Sequence, residues 1–126
     1  DAPELGQTCR DAQGSVYACG RLAHAEMQRL ARSDISCDAI ETDQYDRAVA
    51  ICYADGQDIG AAMVSSGWAR AYLSYSLRYA AEETRARAAK RGMWAGEFED
   101  PWAFRDENLQ DDVIALIWRW VMERIF

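Results

Sequence analysis

The sequence predicts an α+β fold that consists of a β-hairpin, three helices and an additional apolar helix at the carboxyl end. Two segments, 36–42 and 48–54, flank a short polar turn, as the strands of a hairpin do, and Val49, Ile51 and Tyr53 fall on one face of the second. Elsewhere, apolar residues recur with the period of an α-helix. The predicted helices cover residues 20–33, 58–67, 76–91 and 113–122.

The first two helices are predicted from an apolar face and from capping residues. Ala23, Met27 and Leu30 fall on one side of the first helix, which favours packing of that side against a core. Asp58 is expected to cap the second helix, because a carboxylate at this position accepts hydrogen bonds from free main-chain N–H groups. Gly67 follows this helix and is expected to end it in a left-handed conformation.

The remaining segments of the domain are predicted from turn and cap residues. Residues 1–18 contain no sustained period and are predicted to form a loop. A short extended stretch over residues 68–72 leads to the third helix, which Ser76 is expected to cap and Gly92 to end.

The composition changes after residue 96. Residues 97–112 contain seven acidic residues and one Arg, so this segment carries −6 of the net charge of −7. We expect it to be a strap on the domain surface. Residues 113–122 are apolar around most of the helix circumference, which predicts burial against the domain or a partner. A helix of about 15 residues reaches only about 22 Å, too short for a bilayer, although membrane anchoring is an alternative.

Size and charge limit the possible functions. The chain has 126 residues, half of them apolar, which is sufficient for one domain with a modest core. A net charge of −7 argues against a general electrostatic affinity for nucleic acid. Because most of that charge lies in the carboxyl-terminal connector, it does not describe the rest of the domain.

The four cysteines allow three pairings, and the hairpin selects one of them. If Gln44 and Tyr45 form the centre of the turn, Cys37 lies directly opposite Cys52, at a separation that a disulfide can bridge. The remaining pair is Cys9–Cys19. Two disulfides indicate an exported protein, periplasmic or extracellular. The alternative is four buried thiols in a cytosolic protein.

Two motifs carry a resemblance to a known family. Residues 1–4 read D-A-P-E, and residues 42–47 read T-D-Q-Y-D-R ahead of an alternating apolar strand. Together they resemble the secreted thermonucleases, or staphylococcal-nuclease-like proteins, and relatives with exopolysaccharide (succinoglycan) biosynthesis names. The resemblance covers residues 1–104 and leaves residues 105–126 as a connector and terminal helix. It implies an incomplete OB-type fold, with the first three strands expected upstream of Asp1.

The resemblance implies metal-assisted hydrolysis of nucleic-acid phosphodiester bonds. Glu4 corresponds to the general base or water-positioning carboxylate, and Asp1 to a ligand of calcium, a cation that prefers oxygen. Arg47 corresponds to the residue that binds the phosphate with its planar donor fork. Tyr72 and Tyr75 correspond to aromatic residues that contact the nucleotide.

Three features leave other interpretations open. Asp46 stands where the family has glycine, and Arg47 could simply pair with Asp43 or Asp46. The family also takes a second metal-binding Asp and a second phosphate-binding Arg from the upstream strands. We therefore expect an inactive or impaired enzyme. The alternative is a non-catalytic interaction module, with homodimer formation through the terminal helix or the exposed hairpin.

Overall fold

A computed structural model describes residues 1–73 and 76–125, without the side chains of residues 109–111 and 125. It has five short strands, four α-helices and a single turn of 3-10 helix at Gly92–Ala95, which confirms the predicted α+β class. The strands are β1 (Cys9–Arg10), β2 (Val16–Tyr17), β3 (Ile35–Thr42), β4 (Ala48–Ala54) and β5 (Gln57–Asp58). The helices are α1 (Cys19–Leu30), α2 (Ile59–Ser65), α3 (Ala80–Ala88) and α4 (Pro101–Ile125).

The hairpin of β3 and β4 has the register that the sequence predicted. Cys37 pairs with Cys52 across the two antiparallel strands, and the two residues form a disulfide with a Cα–Cα distance of 4.1 Å. The register continues as far as Ala39 opposite Ala50 and then shifts by one residue, because a bulge intervenes before Glu41. The second predicted disulfide, Cys9–Cys19, is also formed.

Two small pieces of β-structure were not predicted. Residues 1–18 were expected to be a loop, but β1 and β2 pair in antiparallel fashion within them. The strand β5 adds two residues to the edge of β4. Strands of two residues are too short to produce an alternating pattern and therefore cannot be predicted from periodicity.

The segment that follows α2 lies against the segment that follows α3, where Gly67 and Gly92 approach each other. Gly67 has φ +81° and accepts a main-chain hydrogen bond of 3.0 Å from Met93. A Cβ atom on Gly67 would lie 2.0 Å from the carbonyl oxygen of Arg91, so no larger residue fits here without a shift.

The predicted cap at the amino end of α2 is also present. Asp58 accepts a hydrogen bond of 3.1 Å from the N–H of Ala61.

Helix α3 is shorter than predicted. It starts at Ala80, and Ser76 does not cap it; the Ser76 hydroxyl accepts a hydrogen bond from the N–H of Arg78 in a preceding turn. The phenol of Tyr79 donates to the carboxylate of Asp58 at 3.0 Å. This long-range bond holds the segment before Ala80 in a turn, which explains the later start.

The core is small and rich in alanine. One cluster lies between α1, β4, α2 and the segment after α2; its buried members are Ala23, Ala54, Ile59, Met63, Val64, Ala69 and Ala71. The second cluster contains the Cys9–Cys19 disulfide and Met93. A cavity of about 430 Å³ opens between the hairpin and α2, lined by Ile51, Met63 and Tyr72 among others.

Helix α4 contradicts the prediction for the carboxyl end. The acidic segment is not a strap from residue 101 onward, because Pro101 begins a helix that continues without a break to Ile125. Proline favours the first position of a helix, where its missing N–H is not needed. The predicted boundary between residues 1–104 and 105–126 falls inside α4, and the division of the chain there stays a prediction.

The apolar half of α4 is exposed rather than buried against the domain. Its large apolar side chains are between 47% and 64% exposed; they are Val113, Ile114, Leu116, Ile117, Trp118, Trp120 and Met122. The described contacts between α4 and the domain are made near its amino end, by Trp102 and Arg105, and the predicted packing of the apolar half on the domain or a partner stays a prediction. Over the described residues, no helix is long and apolar enough to cross a membrane.

Candidate active site

The D-A-P-E turn is held on the domain by main-chain bonds and by one buried side chain. The main chain of Asp1 pairs with that of Arg70 in both directions, at 2.8 and 2.6 Å. Gln7 is 1% exposed and accepts a hydrogen bond of 3.2 Å from the N–H of Glu4, while its amide nitrogen donates to the carbonyl of Glu99. The turn is therefore fixed from both ends, and Gln7 is a positioning residue that sequence reasoning missed.

Asp1 and Glu4, the two predicted site carboxylates, meet at one guanidinium group. The Nη1 and Nη2 atoms of Arg105 lie 2.7 and 2.6 Å from the two oxygens of Asp1. The Nη1 atom also lies 3.1 Å from Oε1 of Glu4. Arg105 belongs to the second turn of α4, which places a residue from the acidic carboxyl-terminal segment at the centre of the predicted site.

Arg47 lies at the end of the hairpin turn, directly before β4. Its Nε donates to Asp43 at 2.7 Å, and 71% of its side chain is exposed. Hydrogen bonds from the main-chain N–H groups of Arg47 and Tyr45 to Asp43 hold the pKa of that carboxyl below its ordinary value. Asp46 has φ +62°, a left-handed conformation that aspartate tolerates at a glycine position.

Tyr72 lies between the two parts of the predicted site. Its exposed ring is 5.3 Å from the ring of Trp102 in the first turn of α4. Tyr72 lines the 430 Å³ cavity together with Asp1, and it lines a shallower cavity of about 750 Å³ together with Arg47. The other predicted nucleotide-contacting residue, Tyr75, lies outside the described residues.

A half-buried arginine connects the turn to α3 and α4. The Arg70 guanidinium lies 5.1 Å from the ring centroids of both Trp94 and Trp102. It forms a salt bridge of 3.0 Å with Glu83 and a second salt bridge with Asp100. Glu83 also accepts a hydrogen bond from the N–H of Ala71. Because Arg70 pairs with Asp1 through its main chain, this network fixes the position of the candidate site.

The described residues do not by themselves form a calcium site. Among them, no group of three or more His, Cys, Asp or Glu side chains converges on one point. Calcium takes six to eight oxygen ligands in proteins, whereas only Asp1 and Glu4 converge here, and both are bound by Arg105. The predicted role of Asp1 as a calcium ligand therefore stays a prediction.

The hairpin, the helices and the D-A-P-E turn define a nuclease-like class of protein. The family model described as staphylococcal nuclease homologue matches residues 1–96, so the chain belongs to this family. The match confirms the resemblance that the two motifs carry. It ends before α4, and Arg105 therefore lies outside the residues that the family model matches.

Two relatives are similar to this chain over most of its length. The succinoglycan biosynthesis protein ExoI of Rhizobium meliloti (strain 1021) is 32% identical over 110 residues, which are 83% of this chain and 57% of that protein. An uncharacterized 38.1 kDa protein of Capnoides sempervirens is 33% identical over 99 residues, which are 75% of this chain and 29% of that protein. The chain thus spans just over half of the first relative and less than a third of the second.

Proposed function

We propose that this chain is a slow hydrolase of nucleic-acid phosphodiester bonds. The observation that carries the proposal is that Asp1 and Glu4, the two carboxylates of the family's D-A-P-E turn, lie close enough together for both to contact the guanidinium of Arg105. A phosphodiester is anionic, so its hydrolysis needs a base for the attacking water and cationic donors for the phosphate oxygens. Residues of both kinds are present in the region that matches the family.

Each site residue has a role in the proposed hydrolysis. Glu4, with a partly exposed carboxylate, accepts the proton of the attacking water. Arg47 donates from its exposed guanidinium to the phosphate and stabilises the charge on the departing oxygen as the P–O bond breaks. Tyr72 provides an exposed ring on which any base can stack. The pairing of Glu4 with Arg105 accounts for a low rate.

Replacement of the two site residues should slow the cleavage of a quenched single-stranded DNA reporter. We expect Arg47→Ala to reduce the rate by about 10²–10³-fold, since it removes a donor to the transition state. Glu4→Gln removes the base and should cost about 10²–10⁴-fold. Arg29→Ala is the matched control, because Arg29 is an exposed arginine on α1 that pairs with Glu26. A rate that falls equally in all three variants would contradict the proposal.

The disulfides support an exported location. We infer a periplasmic or extracellular protein, since disulfides persist in oxidising compartments and are rare in the cytosol. The name of the first relative assigns that protein to succinoglycan synthesis. For this chain we propose no reaction on sugars, because the side chains of the site are those that phosphodiester hydrolysis requires.

A second candidate function is favoured by the exposed apolar half of α4. We propose that α4 pairs with α4 of a second copy of the chain in antiparallel orientation. The amino half of α4 has a net charge of −3 and the carboxyl half a net charge of +1; the charged residues are Arg105, Asp106, Glu107, Asp111 and Asp112 in the first and Arg119, Glu123 and Arg124 in the second. Antiparallel pairing therefore places acidic residues of one copy beside basic residues of the other while it covers the apolar side chains.

Sedimentation equilibrium distinguishes the proposed dimer from a monomer. We expect the wild-type chain to be a dimer and Ile117→Glu with Trp118→Glu to be a monomer, because charges in an apolar interface are costly. Leu77→Glu is the matched control: Leu77 is an apolar residue outside α4 and is 75% exposed. If the wild-type chain sediments as a monomer at micromolar concentration, the dimer is excluded.

A further inference from the structure

Arg105 binds the carboxylates of the candidate site in the way that a bound cation would. It contacts both oxygens of Asp1, at 2.7 and 2.6 Å, and one oxygen of Glu4, at 3.1 Å. The two parallel N–H donors match the spacing of a carboxylate, which makes this the strongest arrangement of an arginine ion pair. The residue is separated from Asp1 by 104 positions, so only the fold brings the two together.

The position of Arg105 is fixed by the start of α4. Trp102, one helical turn earlier, packs on the ring of Tyr72 and on the guanidinium of Arg70. Asp100 forms a salt bridge with the same Arg70. Residues three apart lie on one face of a helix, so the contacts that anchor Trp102 also direct Arg105 toward the turn at residues 1–4.

An ordinary surface ion pair would not need this arrangement. Arg105 is the only basic residue among residues 97–112, and it meets the two carboxylates that the family motif supplies. A divalent cation that used the same oxygens of Asp1 would have to replace both N–H donors at once. The Arg105 side chain is 44% exposed, so it can leave without unfolding the domain core.

We propose that the Arg105 guanidinium is the cation normally bound by Asp1 and Glu4. The guanidinium and a divalent cation cannot occupy these carboxylates at the same time. Helix α4 then closes the site when Arg105 is bound, and a divalent cation has access to the carboxylates only when Arg105 moves away. The inference rests on the proposed function only in that it takes Asp1 and Glu4 as the working carboxylates. It also makes the carboxyl-terminal helix, which the family match does not include, part of the site.

Paramagnetic broadening by Mn²⁺, a cation that prefers oxygen ligands, tests this exclusion without nucleic acid. The amide signals of Ala2 and Glu4 are followed while Mn²⁺ is added to the wild-type chain and to Arg105→Gln. We expect Arg105→Gln to reach half-broadening at a Mn²⁺ concentration at least tenfold lower than the wild-type chain. Arg105→Lys should lie between them, since lysine is a cation without the planar fork.

Two variants control for general effects of charge and structure. Arg85→Gln removes one exposed arginine from α3 and should respond like the wild-type chain. Arg105→Gln combined with Glu4→Gln should lose the gain in Mn²⁺ binding. Unchanged dispersion of the amide spectrum shows that each variant is folded.

Equal broadening in wild-type and Arg105→Gln chains, or no site-specific broadening in either, would overturn the inference. Neither result bears on the cleavage of the DNA reporter. Conversely, a chain that fails to cleave DNA leaves the competition between Arg105 and the cation fully measurable. The two proposals can therefore fail separately.

Discussion

Glu83→Ala is expected to lower the free energy of unfolding by about 3–5 kcal/mol, the range observed when one partner of a buried ion pair is removed. Glu83 is 6% exposed and accepts hydrogen bonds from Arg70 and from the N–H of Ala71. Without Glu83, the Ala71 N–H has lost its acceptor, and the half-buried Arg70 guanidinium retains Asp100 as its one described salt-bridge partner. The loss is large because these groups do not regain full hydration in their buried positions.

Urea unfolding followed by tryptophan fluorescence measures this change, since Trp94 and Trp102 flank Arg70. Glu82→Ala is the matched control on the same helix. Glu82 pairs with the exposed Arg85 at 3.7 Å, an interaction for which we expect less than about 1 kcal/mol. If both variants lose the same stability, the network around Arg70 does not fix the site as described.

Removal of the Cys9–Cys19 disulfide is expected to destabilise the chain more than removal of Cys37–Cys52. The sequence separations are 10 and 15, so chain entropy alone gives each bond about 3 kcal/mol, slightly more for the hairpin. The burial of Cys9 and Cys19 reverses this order of stabilisation by the two disulfides. Cys9 and Cys19 lie in the core against Met93, and each lost sulfur costs on the order of 1 kcal/mol more, as a buried methylene does.

The free energies of unfolding of the two double alanine variants test this order. We expect a loss of about 4–5 kcal/mol for Cys9→Ala with Cys19→Ala, and about 3 kcal/mol for Cys37→Ala with Cys52→Ala. The second pair is the natural control, because Cys37 lies on an exposed strand. A larger loss from the hairpin pair would show that loop closure, rather than burial, decides the contribution of each bond.

The sequence predicted those features that depend on local spacing. The pairing of Cys37 with Cys52 was predicted by counting residues outward from the turn, although a bulge shifts the register by one residue next to it. The large side chains on one face of residues 48–54 predicted the second strand. Asp58 and Gly67 act where their side-chain chemistry and conformational freedom predicted, at the two ends of α2.

Features that depend on contacts between distant segments were missed. Arg105 reaches Asp1 across 104 positions, and no local pattern indicates that Asp1 and Glu4 are its partners. The start of α3 depends on a bond between Tyr79 and Asp58. The surface that covers the apolar half of α4 could not be predicted, because the apolar composition of a helix does not specify it.

One comparison tests the central proposal, that the D-A-P-E turn of this chain catalyses phosphodiester hydrolysis. The single-turnover rate of DNA reporter cleavage is measured for the wild-type chain and for Glu4→Gln, purified identically. We predict that wild-type cleavage exceeds that of Glu4→Gln by at least about 10²-fold, the lower limit for a general base. Equal rates in the two proteins would contradict the proposal and leave the chain as a non-catalytic member of its family.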